Sequence, residues 1–276
     1  MRRLRYGIAV LSLLLILVVA NALLHSDGNP LNPIAAAAER TQEQPGARFT
    51  MSAVYNSAAL QQPMTARGRG AYNSETGLSK ATLTVDSPEG PLTVESIADD
   101  TSFYVGGDEI GGELPEGKEW MKIEPFLGHS REEVALSGSG ADSSFDALRR
   151  VDGDAQRLGR ETVDGVPTQR YRAQLSYDGY AGLLRDEGKD EIADQLEKLE
   201  SAITTPPTIE AWIDDEGILR RMRMVMTLPG GPGQPPVTTD MEMNLFDIGA
   251  RPAIAVPDES RVFDATKLVQ QQLDAS

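Results

Sequence analysis

From Phe49 onward the chain is built of short segments in which apolar residues recur at every second position, separated by Gly, Pro, Asn and Asp. A period of two sends alternate side chains to opposite faces of a strand, so the pattern demands sheets with one buried face. Met51, Ala53 and Tyr55 alternate with Thr50, Ser52 and Asn56, with Val54 breaking the rule. Ala81, Leu83 and Val85 alternate with Lys80, Thr82, Thr84 and Asp86. Leu92 and Val94, Phe103 and Val105, and Met121 and Ile123 continue the rhythm. Strands about ten residues apart, with turn residues between them, predict an antiparallel sheet and not parallel βαβ units.

The second half repeats the pattern more sharply. Val163-Asp164-Gly165-Val166 is an Asp-Gly turn between two strands. Tyr171, Ala173, Leu175 and Tyr177 then share one face, with Gln169 (slightly out of phase), Arg170, Arg172 and Gln174 opposite. Ile209–Ile213 and Ile218–Leu228 flank an acidic turn, and Val237–Ile248 returns after a Pro/Gly-rich loop. Met222, Met224 and Met226 fall on one face of their strand, opposite Arg221 and Arg223. Met241, Met243 and Leu245 do the same on the next strand, opposite Asp240, Glu242 and Asn244. Methionine is unbranched and polarizable, which suits both a gap-filling core and a surface that accommodates varied apolar shapes. Both readings stay open at this point.

Two segments depart from the β rhythm. Asp142 caps a short helical stretch with Phe145, Leu148 and Val151, and Tyr180–Ile203 reads as a longer helix ended by Pro206-Pro207. At least nine strands and two helical segments predict an α+β fold, one strongly bent antiparallel sheet.

The amino terminus carries a different signal. Arg2, Arg3 and Arg5 precede Gly7–Leu24, which is apolar apart from Ser12 and Asn21. A basic start before an apolar run is the export pattern. Eighteen residues of helix reach about 27 Å, just enough for a bilayer core, whereas Ala20-Asn21-Ala22 suits signal cleavage. Residues 1–24 are thus a signal peptide or a signal anchor, 25–47 have the Pro, Asn and Ala composition of a flexible linker, and 48–276 form one domain. Either reading of 1–24 places that domain outside the cytoplasm, anchored by residues 7–24 or secreted.

Charge and composition narrow the function. The net charge is −16, with 42 acidic against 26 basic residues, and such a surface repels phosphate backbones, arguing against nucleic-acid partners. With no cysteine and two histidines, His25 and His129, thiol chemistry and a histidine-built metal site or charge relay find no material. Ser137–Ser144 is not a nucleophile elbow, Asp152-Gly153-Asp154 lacks the rest of a calcium loop, and no phosphate loop occurs. The reading is a non-enzyme, with no cofactor and no metal.

Three phrases, in order, resemble those of actinobacterial lipoproteins of the LppX/LprG kind. They are Gly159–Tyr171 (GRETVDGVPTQRY), Ala211–Arg221 (AWIDDEGILRR), and Phe246–Gly249 followed by Ile254–Pro257. The resemblance implies the LolA/LolB lipoprotein-carrier fold, a half-barrel sheet whose concave side is covered by helices over an apolar cavity for acylated molecules. The family's lipidated cysteine has no counterpart here, so a protein anchor or free secretion takes its place. On this reading Leu83, Val85, Tyr171, Ala173, Leu175, Met222, Met224, Met226, Met241, Met243 and Leu245 line the cavity, and Leu183, Leu184, Ile192, Leu196 and Leu199 form a lid. The expected function is an exported cell-envelope protein that binds or carries a lipid or other acylated ligand. The alternative is a membrane-anchored sensory or interaction domain with a filled core and no transported ligand.

Overall fold

The computed structural model describes residues 33–60, 62–87, 90–99, 102–107, 114–123, 155–174, 206–228 and 235–267. The two helical stretches expected within 142–151 and 180–203, and with them Leu175, Leu183, Leu184, Ile192, Leu196 and Leu199, lie outside the described residues, as does the apolar run 7–24. Among the described residues no helix is long and apolar enough to cross a membrane.

Twelve strands form one sheet: β1 (Gly46–Ser57), β2 (Met64–Asn73), β3 (Leu78–Ser87), β4 (Gly90–Ala98), β5 (Phe103–Gly106), β6 (Trp120–Ile123), β7 (Gln156–Val163), β8 (Val166–Gln174), β9 (Thr208–Asp214), β10 (Leu219–Leu228), β11 (Val237–Phe246) and β12 (Val262–Asp264). Their order is β12-β6-β5-β4-β3-β2-β1-β11-β10-β9-β8-β7, an open sheet with β12 and β7 at its edges. Only the β12–β6 pair is parallel among these described strands. The first half of the chain lies on one side of the central pair β1–β11 and most of the second half on the other, so the sheet is closed in the middle by a long-range contact.

The turns follow from local chemistry. Asp164 and Gly165 have φ of 48° and 83°, the left-handed conformations a two-residue hairpin needs. Between β9 and β10, the Asp214 carboxylate accepts the backbone N–H groups of Glu216 and Ile218 at 3.0 and 2.9 Å and receives Arg220 Nε at 2.7 Å. Such a carboxylate mimics a backbone turn and satisfies donors that the loop would leave open.

The linker expected over 25–47 is corrected for its second half. Pro33–Gln42 is a helix, α1, and β1 begins at Gly46. Its run Pro33-Ile34-Ala35-Ala36-Ala37-Ala38 has the small residues of a linker but also proline at the first helical position and the best helix former four times over. A ten-residue helix is marginal alone. It is held because Ile34, Ala35, Ala37, Ala38 and Thr41 are buried. Thr41 Oγ1 donates to Ala37 O at 2.6 Å and accepts the Leu219 N–H at 2.9 Å, while the Tyr72 hydroxyl donates to Thr41 O at 3.3 Å. The Arg40 guanidinium donates to Glu216 O at the β9–β10 turn. α1 thus seals one end of the sheet's apolar face.

Candidate ligand-binding face

Alternation and register together decide which side chains meet. Met222 is paired with Met243 and Met224 with Met241 across β10–β11. Met51 and Ala53 of β1 stand opposite Met243 and Met241 on the other side of β11. Ala211 and Ile209 of β9 continue the same rows beyond β10, followed by Tyr171 and Ala173 of β8. In the other direction the rows run from β1 through Gly68 and Ala66 to Leu83 and Val85, then to Val94 and Leu92. All ten described candidates for lining, Leu83, Val85, Tyr171, Ala173, Met222, Met224, Met226, Met241, Met243 and Leu245, therefore share one apolar face and one cluster.

The centre of that face is tightly enclosed: Met222, Met241 and Met243 are 2% exposed and Met224 6%. Its other end differs. Met64, Leu92, Met226 and Val237, toward the strand ends away from α1, are only partly buried, although Tyr55 and Thr239 between Met64 and Met226 are buried. Tyr171, in the Met222 row, and Ile248, beside α1, are partly buried as well. The apolar face thus carries α1 at one end and four half-exposed apolar side chains at the opposite rim.

Phe49, Met51 and Tyr55 of β1 were absent from the sequence-derived lining, although their alternation was visible. What sequence did not reveal was that β1 pairs with β11 and so stands beside the methionines. Gly70 shows how tightly this part is built: a Cβ there would lie 2.3 Å from Phe49 Cζ and 2.5 Å from Lys80 O. The missing side chain is the space the Phe49 ring occupies.

The opposite face is polar and ordered by charge. Glu210 sits between Arg170 and Arg172, accepting from Arg170 at 2.7 Å and from two nitrogens of Arg172 at 2.8 and 2.6 Å. Its side chain is 6% exposed. Burial pushes the Glu210 carboxyl up, but hydrogen bonds from Arg172 and Arg170 outweigh it and leave it below the usual carboxylate range. Trp212, 4% exposed, lies between the guanidiniums of Arg170 and Arg221, whose Cζ atoms are 4.9 and 5.6 Å from its ring centroid, a cation–π stack. Its indole N–H donates to Glu161 at 2.8 Å; that bond, with one from Arg170, holds the Glu161 carboxyl down. Arg223 grips Asp240 through two bonds of 2.8 and 2.6 Å, lowering the Asp240 carboxyl. Gln169, assigned from sequence to this side, belongs by register with Ile213 and is buried; its side chain accepts from Arg157 Nε at 2.6 Å.

A depression of about 660 Å³ lies apart from the methionines, between α1 and the β9–β10 hairpin, lined by Glu39, Arg40, Glu43, Glu216, Ile218 and Arg220 among others. Its mixed charges suit water better than an acyl chain.

The chain is similar to two solved mycobacterial proteins. LprF from Mycobacterium bovis shares 16% identity over 82% of this chain and 94% of its own, with a TM-score of 0.42. The lipoprotein LppX from Mycobacterium tuberculosis shares 11% identity over 82% of this chain and 96% of its own, with a TM-score of 0.47. No family model matches the chain, and no curated protein does.

Proposed function

We propose that the protein binds a lipid or another acylated ligand against the apolar face of the sheet, outside the cytoplasm, as a carrier and not as an enzyme. In this reading the sheet bends into a half-barrel around the ligand, helices beyond the described residues cover its concave side, and residues 1–24 export the chain and either anchor it or are cleaved. The observation that carries the proposal is the opposed methionine pairs Met222–Met243 and Met224–Met241, flanked by the looser apolar rim of Met64, Leu92, Met226 and Val237. Thioether side chains rearrange at little cost, and the rim offers a way in. Each buried CH₂ is worth about 0.8 kcal/mol, so a dozen methylenes supply roughly 10 kcal/mol before ordering costs, with no polar constellation required.

The near-complete burial of the four methionines favours a second reading, a filled core in a membrane-anchored sensory or interaction domain. Native mass spectrometry of residues 27–276, which retain α1, separates the two. A co-purifying lipid mass supports the carrier. A protein that stays ligand-free after exposure to total lipid extract, and melts unchanged, supports the filled core.

A further inference from the structure

Strand β2 reads Arg67-Gly68-Arg69-Gly70, with its glycines on the apolar face and its arginines on the polar one. Among the described residues every other arginine donates to a carboxylate, an amide or a carbonyl. Arg67 and Arg69 do not: both are exposed, and neither has a hydrogen bond or an ion pair. Their cross-strand partners are hydroxyls, Ser52 and Thr84 beside Arg67, Thr50 and Thr82 beside Arg69. The acids one strand further out are already engaged: Asp86 accepts from Thr65 at 2.6 Å, Glu95 pairs with Lys80 at 3.5 Å, and Glu242, beyond Ser52, accepts from Asn244 at 3.2 Å and lies 3.7 Å from Arg221. Two like charges two residues apart on one strand face repel each other, and in a chain of net charge −16 their lack of a counter-charge is a cost to the fold.

We propose that this patch of the polar face docks on a bilayer surface of anionic phospholipid headgroups. The short hydroxyl side chains on either side leave the two guanidiniums standing above their cross-strand neighbours. An extended surface carrying many phosphates meets both cations at once, bidentate guanidinium–phosphate contacts and hydroxyl donors completing the match. Each arginine near an anionic bilayer raises partition roughly fivefold. Because the remainder of the chain is acidic, the same bilayer repels the other faces, and the patch sets orientation as well as affinity. Docking by this face is independent of whether a lipid occupies the opposite one.

The chain has no cysteine, so a single introduced thiol is unique. Full-length protein carrying Val54→Cys, an exposed position two residues along β1 on the same face, is labelled with a fluorophore and mixed with vesicles bearing headgroup nitroxides; Thr162→Cys on β7 is the distant control. The expected result is quenching at position 54 on phosphatidylglycerol vesicles and not on phosphatidylcholine, fading with added salt. Arg67→Ser with Arg69→Ser should reduce it to the level at position 162, with far-UV circular dichroism unchanged. Quenching that is equal on both lipids, or that survives the double substitution, overturns the proposal. Displacement from the vesicles by soluble polyglutamate at matched ionic strength also overturns it and assigns the patch to an acidic polypeptide.

Discussion

The two faces of β10 alternate along the same ten residues and obey different physics. Met222, Met224 and Met226 point to the apolar face, where stability comes from area and packing; Arg221 and Arg223 point to the polar one, where it comes from matched charge. On the apolar face a neighbour can be exchanged for another of similar volume at little cost. On the polar face each group answers to particular partners, and removing one leaves the rest unpaired at a cost that grows with burial, from about 1 kcal/mol or less for a half-exposed pair to about 3–5 kcal/mol for a buried one. One strand therefore separates a surface that responds to volume from one that responds to partner and burial, by a single step in sequence.

The largest effect should come from removing α1, since it seals the apolar face. A chain beginning at Glu43 loses the buried side chain of Ile34 and strands the Leu219 N–H and the Tyr72 hydroxyl. A loss of about 4 kcal/mol or more is expected, combining large-to-small and unsatisfied-donor costs. Thermal melts of the two chains measure it, and an unchanged melting temperature would show that the apolar face does not need this helix.

Next comes Gly70→Val, which forces atoms onto the Phe49 ring and the Lys80 carbonyl. The carbonyl belongs to a paired strand and has nowhere to go, so the change should cost about 3 kcal/mol. Urea midpoints read it; the double variant with Phe49→Leu should recover part of the loss, since two of the three close contacts are with the ring.

Glu210→Ala tests the polar face. With Arg170 and Arg172 partly exposed, the loss should be about 2 kcal/mol, below the 3–5 kcal/mol of a fully buried pair. The pH dependence has a definite sign. Glu210 and Asp240 titrate lower when folded than unfolded, so their stabilisation is present above the unfolded values and is lost as pH falls through the folded ones, below about pH 4. Denaturation at pH 7 and pH 3 should show a smaller acid loss in Glu210→Ala than in the wild type.

The smallest effects decide the function. Met224→Trp should cost about 1–3 kcal/mol if the apolar face is a filled core, because the added volume finds no space. If the face opens for an acyl chain, the melting temperature should hold while lipid binding falls. Arg223→Ala, across the strand, removes only a half-exposed pair with Asp240 and should cost at most about 1 kcal/mol, leaving lipid binding unchanged.

Much of this was legible in the residues themselves. The twofold alternation in 49–55, 81–85 and 241–245 is a property of neighbours in the chain, so it revealed the strands and their apolar sides directly. The Asp164-Gly165 turn and the methionine and arginine faces of β10 were readable for the same reason. α1 was not, because four alanines are compatible with linker and helix alike, and only the contacts of Ile34, Ala37 and Ala38 select the helix. Gln169 was misplaced because its polarity was set above its period: it has the parity of Tyr171 and Ala173, and the register with Ile213, Ala211 and Ile209 keeps all three on one face. Tertiary structure alone decided that β1 pairs with β11, which closes the sheet between residues some two hundred apart. That choice brings Met51 beside Met243, and it leaves Arg67 and Arg69 facing hydroxyls while the arginines of β8 and β10 face acids. A strand's own sequence specifies which side chains point the same way; which side chains they then meet is set by the pairing, and pairing is a contest among all strands at once.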